Sequence, residues 1–455
     1  MQRLPLLFLI LVPLALSARE KDLDLRESGP PAAEELIVRG WADESPVFQT
    51  QDPQTPVPFR TLYGKVTDSR SGDPIPYASI KLEGGTLSNV TNAEGFFSLK
   101  VPEDLPDDTR ISLSHLGYLN ASCVIAAFRD RTADRPLQIN MTPVSIQLDP
   151  SIIRDIDPLE LLKTAYRHVR DNYPQQHEYL VAFYREMIRK GTAKYLVLNE
   201  AVIDIDKAPY SYGFSNDRAA IYKGRGSKNF VAADTLFVQF QGGIAGTLAG
   251  DIVKDPFVGV YLEQVPDYYD LSIEGSATLD DRECLILRFS EKERQEPAMF
   301  DGRLYIDSET YAIARVEYWM NVKGREEKAA SRFVVKKPAD FRFGVEKAHY
   351  RLYFKKQAGR WHFDYSRLEL QFTARRKRTL FRHTYTIISE MAVTDLRPEE
   401  FKITNQDKVK FNDILSNQVS DFSDPEFWGS YNIIEPDQSI EHAIRRIIRQ
   451  LKARQ

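Results

Sequence analysis

The chain reads as a mainly β protein: an N-terminal sandwich, then a larger antiparallel, curved sheet forming an incomplete barrel with a few helices. Three observations predict this. Apolar and polar residues alternate in run after run between Leu62 and Leu396. Clusters of Gly, Asn, Asp and Pro separate those runs. The 25 Phe and 22 Tyr suit pleated, half-buried surfaces. Helical periodicity is read in two stretches, near 158–173 and 438–454.

The first 18 residues predict export. Arg3 precedes a short apolar run, Leu4 to Leu14, and Ala15-Leu16-Ser17-Ala18 has the small residues of a signal-peptide cleavage site. The run is shorter than the roughly 20 residues that span a bilayer, and Arg19-Glu20-Lys21-Asp22 follows at once. No Cys near the site suggests a lipid anchor. No later uncharged apolar run is long enough to span. Residues 19–60, rich in Pro, Asp and Glu, read as a flexible leader. The net charge of −4 gives no sign of nucleic-acid binding. Cys123 and Cys284 lie in strand-like runs and are expected as free thiols rather than a disulfide between two units.

Residues 61–148 carry the sandwich pattern. Leu62 to Asp68 alternates, Ser69 to Pro76 is a turn cluster, and Tyr77 to Glu83 alternates again. In Thr91-Asn92-Ala93-Glu94-Gly95, the Asn side chain can bond its own backbone and Gly95 can supply a positive φ. Phe97 and Leu99 then share one face. Gly64-Lys65-Val66-Thr67-Asp68, Gly72 to Ile80, Thr91 to Phe97 and Ser114-His115-Leu116-Gly117-Tyr118 stand in the order and spacing of the carboxypeptidase-regulatory-like domain, which this stretch resembles. The resemblance implies a Greek-key, transthyretin-like sandwich. It implies no catalysis, despite the family's name. Such domains stand at the front of exported Bacteroidota proteins, TonB-dependent outer-membrane receptors among them. Ser88-Asn89 replaces the family's frequent Gly-Thr, which is expected to soften a tight turn.

Residues 155–455 read as a second, β-rich domain. Asp157 can cap a helix with Pro158 at its first position and Glu160 completing a capping box. From Glu178 the period is two, with Gly191-Thr192-Ala193 turning a long hairpin, and strands follow one another as an antiparallel meander. Phe183, Tyr195, Tyr305, Val316, Tyr318, Tyr350, Leu352 and Phe354 are the expected inward side chains. Few helices are available to cover such a sheet, so an apolar trough is expected, with Phe427-Trp428-Gly429-Ser430-Tyr431 near its mouth. Asp437 can cap the last helix, whose Ile440, Ala443, Ile444, Ile447, Ile448 and Leu451 form one face. Val181 to Glu186, Lys223-Gly224-Arg225 and Tyr431 to Asp437 resemble an uncharacterised Bacteroidota family that joins a regulatory-like sandwich to a C-terminal region of unknown function. The meander around Leu304-Tyr305-Ile306-Asp307 is weakly similar to LolA-type lipoprotein carriers.

Motifs for chemistry are scarce. None of the seven histidines has Glu three residues later, so the pair that a zinc carboxypeptidase needs is missing. His168 and Asp171 read as a solvated helical pair. There is no Gly-x-Ser-x-Gly elbow and no phosphate loop with its Lys; Gly242-Gly243-Ile244-Ala245-Gly246 reads as a flexible connector. Glu200, Asp204 and Asp206 share a strand face, where three carboxylates could hold Ca²⁺ but a hydrated outer face is the plainer reading. Arg375-Arg376-Lys377-Arg378 could meet lipid phosphates or form a solvated hairpin tip. The sequons at Asn89, Asn120 and Asn140 matter only in a glycosylating host. The sequence thus points to a non-enzymatic, exported binding or assembly module of the Gram-negative envelope, periplasmic or outer-membrane associated, with no cofactor, metal or catalytic residue. Its partner would be an apolar ligand, a partner segment or an outer-membrane protein. The alternatives are a hydrolase with its site in the C-terminal domain and a structural partner of a TonB-dependent transporter.

Overall fold

The structure, a computed structural model, describes residues 58–144 and 156–452, apart from 192–193, 212–216, 228–238, 241–242, 255–256, 293–297, 337–338, 380, 398–399, 412, 421, 423 and 425. The expected signal peptide, nearly all of the expected leader and the middle of the Gly191 turn lie outside the described residues.

Seven strands build the sandwich: β1 (Phe59–Asp68), β2 (Ser79–Leu82), β3 (Ser88–Val90), β4 (Phe96–Pro102), β5 (Arg110–Ser114), β6 (Ala121–Val124) and β7 (Leu137–Met141). One sheet has the order β4-β1-β7 and the other β3-β2-β5-β6. Their inner faces meet in Leu62, Val66, Ile80, Phe97, Leu99, Ile111 and Leu113, all buried. The expected turn forms: the Asn92 carboxamide oxygen accepts from the backbone N–H groups of Glu94 (2.9 Å) and Phe96 (3.0 Å). Gly95 has φ 73° and lies so close to β1 that a Cβ would stand 2.4 Å from the Val66 carbonyl oxygen. Ser88-Asn89, by contrast, is no softened turn. It is part of β3, paired with β2 and buried, because the C-terminal region packs over it.

Ten further strands form one sheet: β8 (Glu178–Lys190), β9 (Lys194–Lys207), β10 (Arg218–Gly226), β12 (Tyr269–Leu279), β13 (Arg282–Glu291), β14 (Phe300–Asp307), β15 (Ile313–Met320), β17 (Phe341–Gln357), β18 (Arg360–Arg376) and β19 (Arg382–Arg397). The short β11 (Gln239–Phe240) and β16 (Val334–Lys336) pair separately. The order β10-β9-β8-β19-β18-β17-β15-β14-β13-β12 is antiparallel throughout, and β10 and β12 at its two ends do not pair with each other, so the sheet is open. The meander is therefore split in two, and its halves join where β8 pairs with β19 over Tyr179–Lys190 and Tyr385–Arg397.

Both faces of this sheet are covered. The helix Pro158–Arg167 is capped by the Asp157 carboxylate, which accepts from Leu159 N (2.8 Å) and Glu160 N (3.2 Å); it breaks at His168 and resumes over Val169–Asn172. Its Leu161, Leu162 and Ala165 join one large core with Leu287, Leu304, Leu352 and Phe354. Gly243–Ala249, read above as a flexible connector, is a helix, because Ile244 and Leu248 stand one turn apart and bury into that same core. The opposite face carries the sandwich, residues 427–436 and the helix Gln438–Lys452, whose Ile440, Ala443 and Ile447 pack on Met187, Tyr195 and Leu198. The expected inward set is thus divided. Phe183 and Tyr195 lie under the sandwich and last helix, whereas Val316, Tyr318, Leu352 and Phe354 face the helical side. Tyr305 also faces the sandwich side, since it pairs with Arg315 and Arg315 with Tyr353.

Candidate functional site

Two places bring chemistry-bearing side chains together. The first lies between the sheet, the sandwich and the tail. Arg185 on β8 is 1% exposed, donates to the Glu200 carboxylate from Nε (2.8 Å) and Nη2 (2.7 Å), and reaches Glu390 on β19 from Nη1 (3.2 Å). Arg225 on β10 binds the other Glu200 oxygen (2.9 Å), and Arg367 on β18 binds Glu390 (2.8 Å). The tail Tyr431 to Asp437 crosses this network. The Ile434 carbonyl accepts from Arg185 (2.7 Å), and Asn432 exchanges two bonds with the Lys100 backbone on β4 (2.7 and 3.1 Å). Asn89 reaches the Ile433 carbonyl (2.8 Å), and the Ser98 hydroxyl donates to the Glu435 carboxylate. On the same interface, Lys355 donates to Ser88 Oγ (2.6 Å), which donates to the Val393 carbonyl (2.8 Å).

Burial would raise the Glu200 carboxyl, but Arg185 and Arg225 outweigh it and hold the group below the usual carboxylate range. Burial dominates at Glu435 and pushes it above that range, against the Ser98 hydrogen bond and the charges of Arg185 and Lys100. A polar cavity of about 170 Å³ lies here, lined in part by Tyr77, Asn92, Arg367 and Glu435. Each carboxylate is matched to a donor. The arrangement is suited to clamping three segments together.

This corrects the reading of Glu200, Asp204 and Asp206. Glu200 is not on a hydrated face, because the tail and sandwich cover it. Asp204 pairs with Arg397 (2.9 Å) and Asp206 with the His177 ring (2.5 Å), so each carboxylate has its own partner. Among the described residues no group of three or more His, Cys, Asp or Glu side chains could hold a metal ion. Asn89, one of the sequon residues, is buried in the clamp.

The second place is on the helical face. Tyr318 and Tyr350 stack with centroids 4.5 Å apart and planes at 3°, and Phe300 meets Tyr318 edge-on at 5.4 Å. The Tyr318 hydroxyl donates to the Gly250 carbonyl (3.0 Å), which pins the end of the Gly243–Ala249 helix over the rings. With Gly246, Met320 and Phe333 these residues line a pocket of about 70 Å³. Arg332 stands in the same lining, and its buried Nη2 has no hydrogen-bond partner among the described residues. Burial lowers the pKa of this guanidinium.

The expected open trough is therefore mostly filled by the chain's own helix. Phe427 to Tyr431 do not border it; Trp428 packs edge-on against Phe183 (5.6 Å) on the opposite face. The Arg375 to Arg378 stretch ends β18 and turns in solvent, with Arg376 paired to Asp340 (2.7 Å). His168 and Asp171 form the expected exposed pair (3.0 Å). Glu390 and Arg332 had no motif to mark them. Arg185 lies in the Val181 to Glu186 stretch singled out above, and parity marks it too, since it alternates with Phe183 and Met187 on one strand face.

Residues 62–152 match the family model described as the CarboxypepD_reg-like domain, which agrees with the resemblance of the sandwich and covers about a fifth of the chain. No curated protein matches the chain. Among solved structures, a DUF1329 family protein from Desulfovibrio piger ATCC 29098 is similar at 15% identity and TM-score 0.24, over 52% of this chain and 94% of that one. A putative outer membrane lipoprotein-sorting protein domain from Vibrio parahaemolyticus is similar at 10% identity and TM-score 0.24, over 55% and 94%. The Pseudomonas aeruginosa MucA/MucB complex gives 14% identity and TM-score 0.19, over 54% and 100%. At these TM-scores the likenesses carry no argument about ligand or mechanism. No helix among the described residues is long and apolar enough to cross a membrane.

Proposed function

We propose that this protein is a non-enzymatic, exported binding module of the cell envelope. Its sheet would hold a small apolar group bearing an anionic end in the pocket beneath the Gly243–Ala249 helix. The observation that carries the reading is Arg332. A buried guanidinium nitrogen without a partner is costly, and a bound carboxylate or phosphate would relieve that cost. The aromatic walls supply apolar contact, and Arg332 supplies orientation, the usual division of labour in ligand pockets. A volume of about 70 Å³ admits only a small group, since a water takes about 30 Å³ of liquid. A longer acyl chain would require the Gly243–Ala249 helix to lift. Export is supported by the leader-like residues 1–18 and by the regulatory-like sandwich.

A fluorescent fatty acid titrated into the purified protein should bind saturably. Arg332→Gln should weaken it about tenfold, the worth of a charge-assisted hydrogen bond. Equal affinity in the two proteins, or no binding together with a ligand-free native mass from envelope fractions, would remove the carrier reading.

A further inference from the structure

A different end of the sheet carries a densely basic surface. The β18–β19 hairpin closes with Arg375, Arg376, Lys377, Arg378 and Arg382, and every one of these from Arg376 onward is exposed. Phe381 stands among them, 80% exposed, the most exposed of the large apolar side chains described. The register brings further cations to the same end. Arg342 pairs across with Arg375, and Phe341 with Arg376. Lys190 pairs with Tyr385, and Lys190 also faces Lys194 across the next hairpin. These residues give eight cations at one end of five adjoining strands, β17, β18, β19, β8 and β9. Among the described residues the nearby acids are Asp340, which is paired with Arg376, Glu346, which reaches Arg382 at 3.8 Å, and Glu326 and Glu327, which line a cavity with Arg342, Arg375 and Arg382; the cations still outnumber them. A patch of this density repels itself in water and gains when it meets a surface of opposite charge. An exposed phenylalanine at its apex adds no stability to the fold that contacts here explain, and it would gain by leaving water.

We propose that this end of the sheet docks on an anionic lipid bilayer. The cations would lie against lipid phosphates and Phe381 would enter the headgroup region, as one apolar anchor among bases does at membrane interfaces. A flat layer of phosphates suits the site better than a single anion. The cations are spread over five strand ends rather than focused on one point. The inference is independent of the pocket beside Arg332, and either can fail without the other.

Sedimentation of the purified protein with vesicles tests it. Vesicles of phosphatidylcholine containing phosphatidylglycerol should bind the protein, phosphatidylcholine alone should not, and added salt should weaken the binding. R375Q/R376Q/K377Q/R378Q should bind at least about tenfold more weakly. Phe381→Ser should bind several-fold more weakly, with a larger relative loss at high salt, where the apolar anchor is what remains. Lys194→Glu alters the neighbouring hairpin and should also reduce binding, so the test does not rest on one loop. All variants should stay close to the wild-type melting temperature, because the substituted side chains are exposed apart from the half-buried Arg375. The proposal is overturned by equal binding to both vesicle types or by unchanged binding of the quadruple variant. It is also overturned if soluble glycerophosphate displaces the protein fully while Phe381→Ser binds as wild type, since the surface would then read free phosphate.

Discussion

The two faces of the ten-stranded sheet are covered in different ways. On the helical face the cover is local and largely apolar: Leu161, Leu162, Ile244, Leu248 and Phe257 press on Leu287, Leu304, Leu352 and Phe363. On the sandwich face the cover comes from the two ends of the described chain, and buried ion pairs and backbone hydrogen bonds tie it down. The helical face has buried ionic groups of its own, among them Lys207 with Asp217, Asp251 and Lys254, and Arg325 with Glu291. Apolar packing is non-directional and tolerates sliding. Paired charges and backbone bonds are satisfied in one register only. On this reading the helical face supplies most of the burial, and the sandwich face fixes how two units with separate cores meet. That buried polar groups confer such specificity is a hypothesis for this protein.

The sharpest test removes the centre of the ionic face. Arg185→Met would leave Glu200 partnered by Arg225 alone and Glu390 by Arg367, in a site closed to water. Truncating a buried pair in this manner costs about 3–5 kcal/mol. Leu352→Ala on the other face should cost about 2–5 kcal/mol through the cavity it leaves. The two should differ in kind. Leu352→Ala should lower one cooperative denaturation midpoint, whereas Arg185→Met should separate the transition into two as the sandwich uncouples. A single transition for both variants would break the contrast.

The limits of the sequence follow from the same physics. Local rules were legible: the Asn92–Gly95 turn, the Asp157 and Asp437 caps and the long hairpins all depend on residues within a few positions of each other. Mainly β architecture with an open, curved sheet was legible from alternation. Face assignment was not, because bulges between Ile188 and Arg189 and between Tyr353 and Phe354 shift the parity that alternation relies on. Nor was the β8–β19 pairing, which joins strands about two hundred residues apart. Ser88-Asn89 and Glu200 were misplaced for one reason. Each is polar, reads as turn or hydrated face, and is buried only because a distant segment lies on it. Arg332 was illegible because a lone arginine has no spacing to read.

A second test compares the ionic groups of the two faces through pH. Asp217 sits between Lys207 (2.7 Å) and Lys254 (2.8 Å). Burial opposes its charge, but the two lysines prevail and bring its pKa from 3.8 down to about 2. A depressed carboxylate stabilises the fold above its unfolded pKa, and that contribution is lost as pH falls from about 4 towards 2. The loss should amount to about 2 kcal/mol, and denaturation midpoints measured across that window should show it. Asp217→Asn should be less stable at neutral pH and should lose less stability through the window. An unchanged acid slope would show that the lysines do not hold this carboxylate as the geometry implies.

The smallest effect belongs to Glu435, and its sign is the opposite. Its carboxyl lies under the sandwich, where burial raises its pKa and the Ser98 hydroxyl donates to it. A raised carboxylate pKa means that the fold prefers the protonated form. The contribution is therefore present at acid pH and fades as pH rises through the folded-state value. Glutamine keeps an acceptor for Ser98 and carries no charge, so Glu435→Gln should match the native protein at acid pH. Above it, the variant should be the more stable of the two, by no more than about 1 kcal/mol. The comparison needs only the difference in denaturation midpoints at an acid and a neutral pH. If Gln is the less stable at neutral pH, the Glu435 charge is being used there by Arg185 and Lys100. The clamp would then be ionic throughout rather than ionic at Glu200 and Glu390 and neutral at Glu435.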